Sequence, residues 1–198
     1  MKINPPPINI IFQFALPLVI ALLVMGLALG GESATLLLRF ERVGIQNGEI
    51  WRLLTANFVH LGWSHALLNI AGLVLIWLLF GQRFSQTGWL IILISSLMGT
   101  TLGLLLFNPT LIWYVGLSGA LHGLFIAGCV AEIKLKYRMG IALLVILIGK
   151  ILWEQFQGPL PGTSDAAGGP VIVDAHLYGA LAGFAALFLK PEPLNQER

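Results

Sequence analysis

Trp113-Tyr114-Val115-Gly116-Leu117-Ser118-Gly119-Ala120-Leu121-His122-Gly123-Leu124-Phe125-Ile126-Ala127-Gly128-Cys129-Val130-Ala131 holds no Asp, Glu, Lys or Arg, yet it carries a serine and a histidine. A helix rises about 1.5 Å per residue, so about 20 apolar residues match a hydrocarbon layer about 30 Å thick. A hydroxyl and an imidazole inside such a run are costly, which marks Ser118 and His122 as site candidates.

The rest of the chain has the same character. Of 198 residues, 57% are hydrophobic and 10% charged, with a mean hydropathy of +0.87. A soluble domain carries about a quarter of its residues as charges, so soluble and disordered readings are excluded. The net charge of +2, without a basic stripe, excludes a nucleic-acid surface. One cysteine, Cys129, rules out an intramolecular disulfide framework and reads as a small core residue.

Six apolar segments qualify or nearly qualify as spans: residues 10–30, 65–80, 89–107, 113–131, 139–153 and 173–189. The expected fold is therefore an all-α, six-helix membrane bundle forming one domain over residues 1–198. The first segment is too long for a signal-peptide core of about 7 to 15 residues. Lys2, Arg83, Lys134, Lys136, Arg138, Lys190 and Arg198 fall on one side, against Arg39, Arg42, Arg52 and Lys150 on the other. The excess places both termini in the cytoplasm, and Glu132, Lys134, Lys136 and Arg138 read as a cytoplasmic charge run that sets topology.

The outer first loop, residues 31–64, mixes Leu36, Leu37, Leu38, Phe40, Trp51 and Phe58 with Arg39, Glu41, Arg42, Glu49 and Arg52, the composition of an interfacial segment. The fifth loop, residues 157–170, is rich in Gly and Pro and reads as a mobile cover or a connector. No internal repeat appears.

In this topology the second, fourth and sixth helices begin on the outer side and carry their polar residues in their first turns: His65 and Asn69, then Ser118 and His122, then His176. Gly119 and Gly123 form one G-x-x-x-G, and Gly179 and Gly183 another, a spacing that lets two backbones approach closely. Packing the fourth helix on the sixth would bring Ser118 and His176 together as nucleophile and general base. Asp174 lies two residues from His176 and so off its face; it reads as a first-turn acid at the positive end of the helix dipole. Glu154, beside Gln155 and Gln157, reads as wetted at the interface. Four histidines invite a metal, but no H-E-x-x-H occurs and only Asp174 is close in sequence to any of them, so no metal or other cofactor is expected.

The stretch Gly116-Leu117-Ser118-Gly119 resembles the G-x-S-G of rhomboid intramembrane serine proteases. Trp51-Arg52, His60, His65-x-x-x-Asn69 and Ala175-His176-x-x-Gly179-x-x-x-Gly183 extend the resemblance over nearly the whole chain. It implies a six-helix rhomboid-like bundle with a Ser118 and His176 dyad and no essential acid. His65, Asn69 and the Ser118 backbone N–H would hold the oxyanion, and Gly116 would allow close backbone approach. Trp51, Arg52 and His60 would fix the first loop, and water would arrive through an aqueous cavity open to the outer face.

Where most rhomboids carry an aromatic residue four positions after the serine, this chain has His122. His122 shares a face with Ser118 and is the second candidate base. A side chain points along its own helix, which favours His176 as base, with His122 stacked on it. Gly-Leu-Ser-Gly-Ala-Leu-His-Gly resembles the rhombosortase branch. That likeness implies an integral protein of a bacterial inner membrane, its site facing the periplasm. The implied substrates are exported membrane-anchored proteins with a C-terminal Gly-Gly motif, anchor helix and basic tail, the acyl-enzyme passing to water or an amine. The partners expected are such a substrate and membrane lipid. The competing class is a non-catalytic rhomboid-like binder of transmembrane segments; a channel would instead line a whole path with polar groups.

Overall fold

The computed structural model describes residues 13–191. Lys2, Arg198 and the first residues of the first anticipated helix, 10–12, lie outside the described residues. Six helices of 14 to 22 residues dominate: α1 (Ala15–Leu29), α5 (Trp63–Phe80), α6 (Gln86–Phe107), α7 (Ser118–Lys134), α8 (Arg138–Gln157) and α10 (Val173–Ala186). A 3-10 turn, Leu187–Leu189, extends α10.

Length and composition qualify three of these to cross a membrane alone, α5, α6 and α8. Helix α1 and the short α2 (Gly31–Leu38) make a fourth candidate as a pair bent by 113°. Gly31 takes a φ of +55° at this break, a conformation that costs glycine little. Three to four candidates is fewer than the six anticipated, because α7 and α10 are short. Only 22% of the α8 window is buried, and Val145 and Ile146 point outward. Such an inside-out surface fits a lipid environment, where exposed apolar side chains carry no hydration cost.

Helix α7 begins five residues later than the sequence pattern suggested. Trp113–Tyr114 forms β2 and pairs antiparallel with β1 (Phe40–Glu41), in the register Phe40 to Tyr114 and Glu41 to Trp113. The first loop is thus a folded element, with α3 (Arg42–Gln46) and α4 (Arg52–Thr55) after the strand. Arg42 donates to the carbonyls of Leu104, Leu105, Asn108 and Leu111, satisfying the orphan end of α6. Buried Arg52 binds the carbonyls of Leu36 and Arg39 at 3.0 Å each and pairs with Glu49. Leu37, Val43, Ile50 and Trp51 stay exposed on the outside of this loop, so Arg52 ties the loop down while Trp51 faces outward.

Helix α10 packs chiefly on α6 and α7. A Cβ on Gly179 would collide with the Gly119 carbonyl, and one on Gly183 with Gly123. Backbones this close are what the small residues permit. Ser96 and Thr100, fully buried on α6, return their hydroxyls to the carbonyls of Ile92 and Ser96, the usual way such groups are satisfied without water. Glu132 is also buried, at 1% exposure, and pairs with Arg83, so it is not part of a solvated loop run. Cys129 is buried in the core.

Candidate active site

Ser118 opens α7, where the first N–H groups have no partner within the helix. The chain enters through Gly116, whose φ of +120° suits glycine, and whose carbonyl accepts the Tyr114 hydroxyl at 2.7 Å. A Cβ at Gly116 would lie 2.8 Å from the His65 ring. Burial holds the Tyr114 phenol far above its usual pKa, so it stays protonated and able to donate.

His176 sits in the first turn of α10, 5% exposed, its Nε2 3.0 Å from Ser118 Oγ. The Gly119–Gly179 approach sets that distance, since it fixes the separation of the two helices one turn away. His122 stacks on His176, with ring centroids 4.2 Å apart and planes 14° from parallel. Its Nδ1 lies 2.7 Å from the Ser118 carbonyl oxygen.

Two residues of α8 enter the site unanticipated. Glu154 is 2% exposed, not wetted, and its Oε2 lies 2.8 Å from His176 Nδ1. Lys150 Nζ lies 2.7 Å from Glu154 Oε1, 3.0 Å from His122 Nε2 and 3.4 Å from His176 Nδ1. The available signal was their spacing: positions i and i+4 place a Lys and a Glu on one face of an otherwise apolar helix. His122, Glu154 and His176 bring three ligand atoms within 4.8 Å of one another. The Lys150 ammonium lies within 3.4 Å of an atom of each of the three.

His65 lines, with Ser118, a cavity of about 280 Å³ whose walls include Leu61, Ile112, Val115, Pro170 and Ile172. Asn69 is buried and its amide nitrogen donates to the His65 carbonyl at 2.9 Å. His60 packs edge-on to His65 at 4.9 Å, and burial together with the nearby His65 pushes its pKa down to about 3. Asp174 accepts from Asn108, which in turn accepts the Tyr178 hydroxyl at 2.8 Å. The fifth loop forms α9 (Thr163–Ala167) and leans on α5, with Pro170 and Ile172 reaching the cavity wall.

A hydroxyl, an imidazole and a carboxylate thus stand in series, with the hydroxyl at the edge of a cavity in a helical bundle. The Rhomboid domain family model matches residues 47–192. The chain is 27% identical over 154 residues to the protein named "Putative rhomboid protease YdcA" of Bacillus subtilis (strain 168), covering 74% of this chain and 70% of that one. Two Arabidopsis thaliana proteins are each 30% identical: RHOMBOID-like protein 6, mitochondrial, over 81% of this chain and 51% of the relative, and RHOMBOID-like protein 4, over 73% and 35%. The chain thus spans about half or less of the plant relatives' length. It belongs to the rhomboid family, as an integral membrane protein, and that homology implies intramembrane protease activity.

Proposed function

We propose that the protein is a serine endopeptidase in which Ser118 is the nucleophile and His176 its general base, acting on a membrane-anchored protein near the outer face of a six-span bundle. The observation that carries this reading is the 3.0 Å approach of His176 Nε2 to Ser118 Oγ at the edge of a cavity. As Ser118 Oγ bonds the scissile carbonyl carbon, its proton passes to His176 Nε2 and the carbonyl electron pair moves onto oxygen. His65, Asn69 and the Ser118 backbone N–H are the proposed donors to that oxyanion, a donor being worth about 2.7–4 kcal/mol in a dry site. Asn69 Nδ2 gives one of its two N–H groups to the His65 carbonyl, which leaves the other to serve. Collapse breaks the C–N bond, and the amine leaves with the proton from Nε2. Water, or an amine, then attacks the acyl-enzyme and restores the Ser118 hydroxyl.

The rhombosortase-like specificity rests on His122 in place of the family's aromatic residue, where its ring stacks on His176. The substrates proposed are exported proteins with a C-terminal Gly-Gly motif ahead of an anchor helix. The site faces the periplasm of a bacterial inner membrane with both termini cytoplasmic. The Lys and Arg distribution supports that orientation.

Fluorophosphonate labelling of the protein in membranes tests the nucleophile. Wild-type chain is expected to take the probe, Ser118→Ala and His176→Ala to lose it by at least ~10³-fold, and His122→Ala to weaken it only. Labelling or undiminished substrate processing retained in Ser118→Ala refutes the reading, and a wild-type chain that binds a transmembrane segment but neither takes the probe nor cleaves favours a binder. The mass of the cleaved product's C-terminus distinguishes hydrolysis from transfer.

A further inference from the structure

We propose that Glu154 is a positioning residue that extends the Ser118–His176 pair into a Ser118–His176–Glu154 relay, with Lys150 holding the carboxylate ionised inside the bundle; this rests on the serine-protease reading above. The resemblance implied a dyad with no essential acid, whereas both nitrogens of His176 are engaged. Nε2 meets Ser118 Oγ at 3.0 Å and Nδ1 meets Glu154 Oε2 at 2.8 Å.

The partners decide where the ring proton sits. An ionised carboxylate only accepts, so Nδ1 carries the proton and donates it to Glu154. Nε2 is then bare and accepts the Ser118 hydroxyl, which is the tautomer a general base needs. Without an acceptor on Nδ1 the imidazole is free to take the opposite tautomer or to rotate.

A lone carboxylate at 2% exposure would be costly to keep charged. Lys150 donates to its second oxygen at 2.7 Å, so the buried unit is neutral overall. The same logic settles His122. The Ser118 carbonyl can only accept, so His122 Nδ1 donates to it at 2.7 Å and Nε2 accepts from Lys150 at 3.0 Å. His122 is thereby held as a neutral ring, stacked 4.2 Å from His176.

When His176 takes the Ser118 proton, the imidazolium faces the Glu154 carboxylate and a neutral ring. Glu154 Oε2 is nearer to Nδ1, at 2.8 Å, than the like charge of Lys150, at 3.4 Å. No proton moves to Glu154; it fixes the ring and balances charge while the proton passes from Ser118 Oγ to Nε2 and on to the leaving amine.

Glu154→Gln tests this sharply, because an amide cannot place its NH₂ against the Lys150 ammonium. It must turn its oxygen to Lys150 and its NH₂ to His176 Nδ1, which forces the proton onto Nε2. For fluorophosphonate inactivation in nanodiscs, the expected result is a fall in kinact of about 10²–10⁴-fold with KI unchanged, by analogy with loss of the acid in a serine triad. Glu154→Asp, which keeps the charge, is expected to recover at least about tenfold over the Gln variant. Full labelling of folded Glu154→Gln, with Ser118→Ala dead, overturns the relay and leaves the serine reading intact. No labelling of wild type at Ser118 fails that reading instead. Parallel loss of rate and thermal stability with no rescue by Asp makes Glu154 structural and overturns the proposal. If Glu154→Gln does not fold, nitrogen NMR of histidine-labelled wild type decides: His176 protonated at Nδ1 and bare at Nε2 supports the relay, and the reverse tautomer overturns it.

Discussion

Gly179→Ala puts the helix contact that sets the Ser118–His176 distance to a direct test. The added Cβ would fall inside the Gly119 carbonyl and 2.8 Å from Thr100 Oγ1. The Gly119 contacts are backbone and cannot yield as a side chain would, so α7 and α10 must part by about 1 Å, the scale at which misplacement costs about 10²-fold in rate. Overpacking of this kind costs about 1–3 kcal/mol in stability. A matched control is Gly149→Ala, since a Cβ on that α8 glycine meets nothing within 4 Å. Thermal unfolding in detergent can be followed by a thiol-reactive dye, because Cys129 is buried and becomes accessible only when the bundle opens. The expected outcome is a lower midpoint and about 100-fold slower fluorophosphonate labelling for Gly179→Ala, with both unchanged in Gly149→Ala. Wild-type stability and labelling in Gly179→Ala would refute the claim that backbone contact positions the pair.

Two further predictions concern charge. Arg83→Ala strands the buried Glu132 carboxylate and should cost about 3–5 kcal/mol, with the double variant Arg83→Ala/Glu132→Gln recovering much of it; additive losses in the same thermal assay would dismiss the pair as a unit. His60 has its pKa lowered from 6.5 to about 3, so the unfolded chain binds the proton more readily. Its contribution to stability is present above pH 6.5 and is lost as pH falls from there towards about 3. His60→Phe should flatten that part of the stability profile, and an unaltered profile counts against the buried, neutral histidine.

Much of the architecture follows from one-dimensional information because lipid imposes a strict rule. A helix satisfies its own backbone, so apolar length alone locates α5, α6 and α8. Scarcity of polar groups does the same for the site: His65, Asn69, Ser118, His122 and His176 stand out because each is costly in such a chain. The paired G-x-x-x-G spacings indicate which helices can touch, and Gly119 and Gly179 do touch. The roles given to those residues are the proposal above.

What sequence could not supply is whatever depends on partners far along the chain. Trp113–Tyr114 looks like the start of a helix until Phe40–Glu41 pairs with it. Glu132 looks like a loop charge until Arg83 meets it inside the bundle. Lys150 and Glu154 make the same point most consequentially. Helix α8 is apolar on nearly all sides and lipid-exposed over most of its length, so its hydrophobic pattern does not say which face turns inward. Only packing on α7 and α10 fixes that rotation, and the rotation puts a carboxylate on His176. The sequence by itself determined that this protein lives in a membrane and which polar residues stand out as costly there; the tertiary structure decided which charges join them, because the facing of a helix apolar on most sides is set by its neighbours.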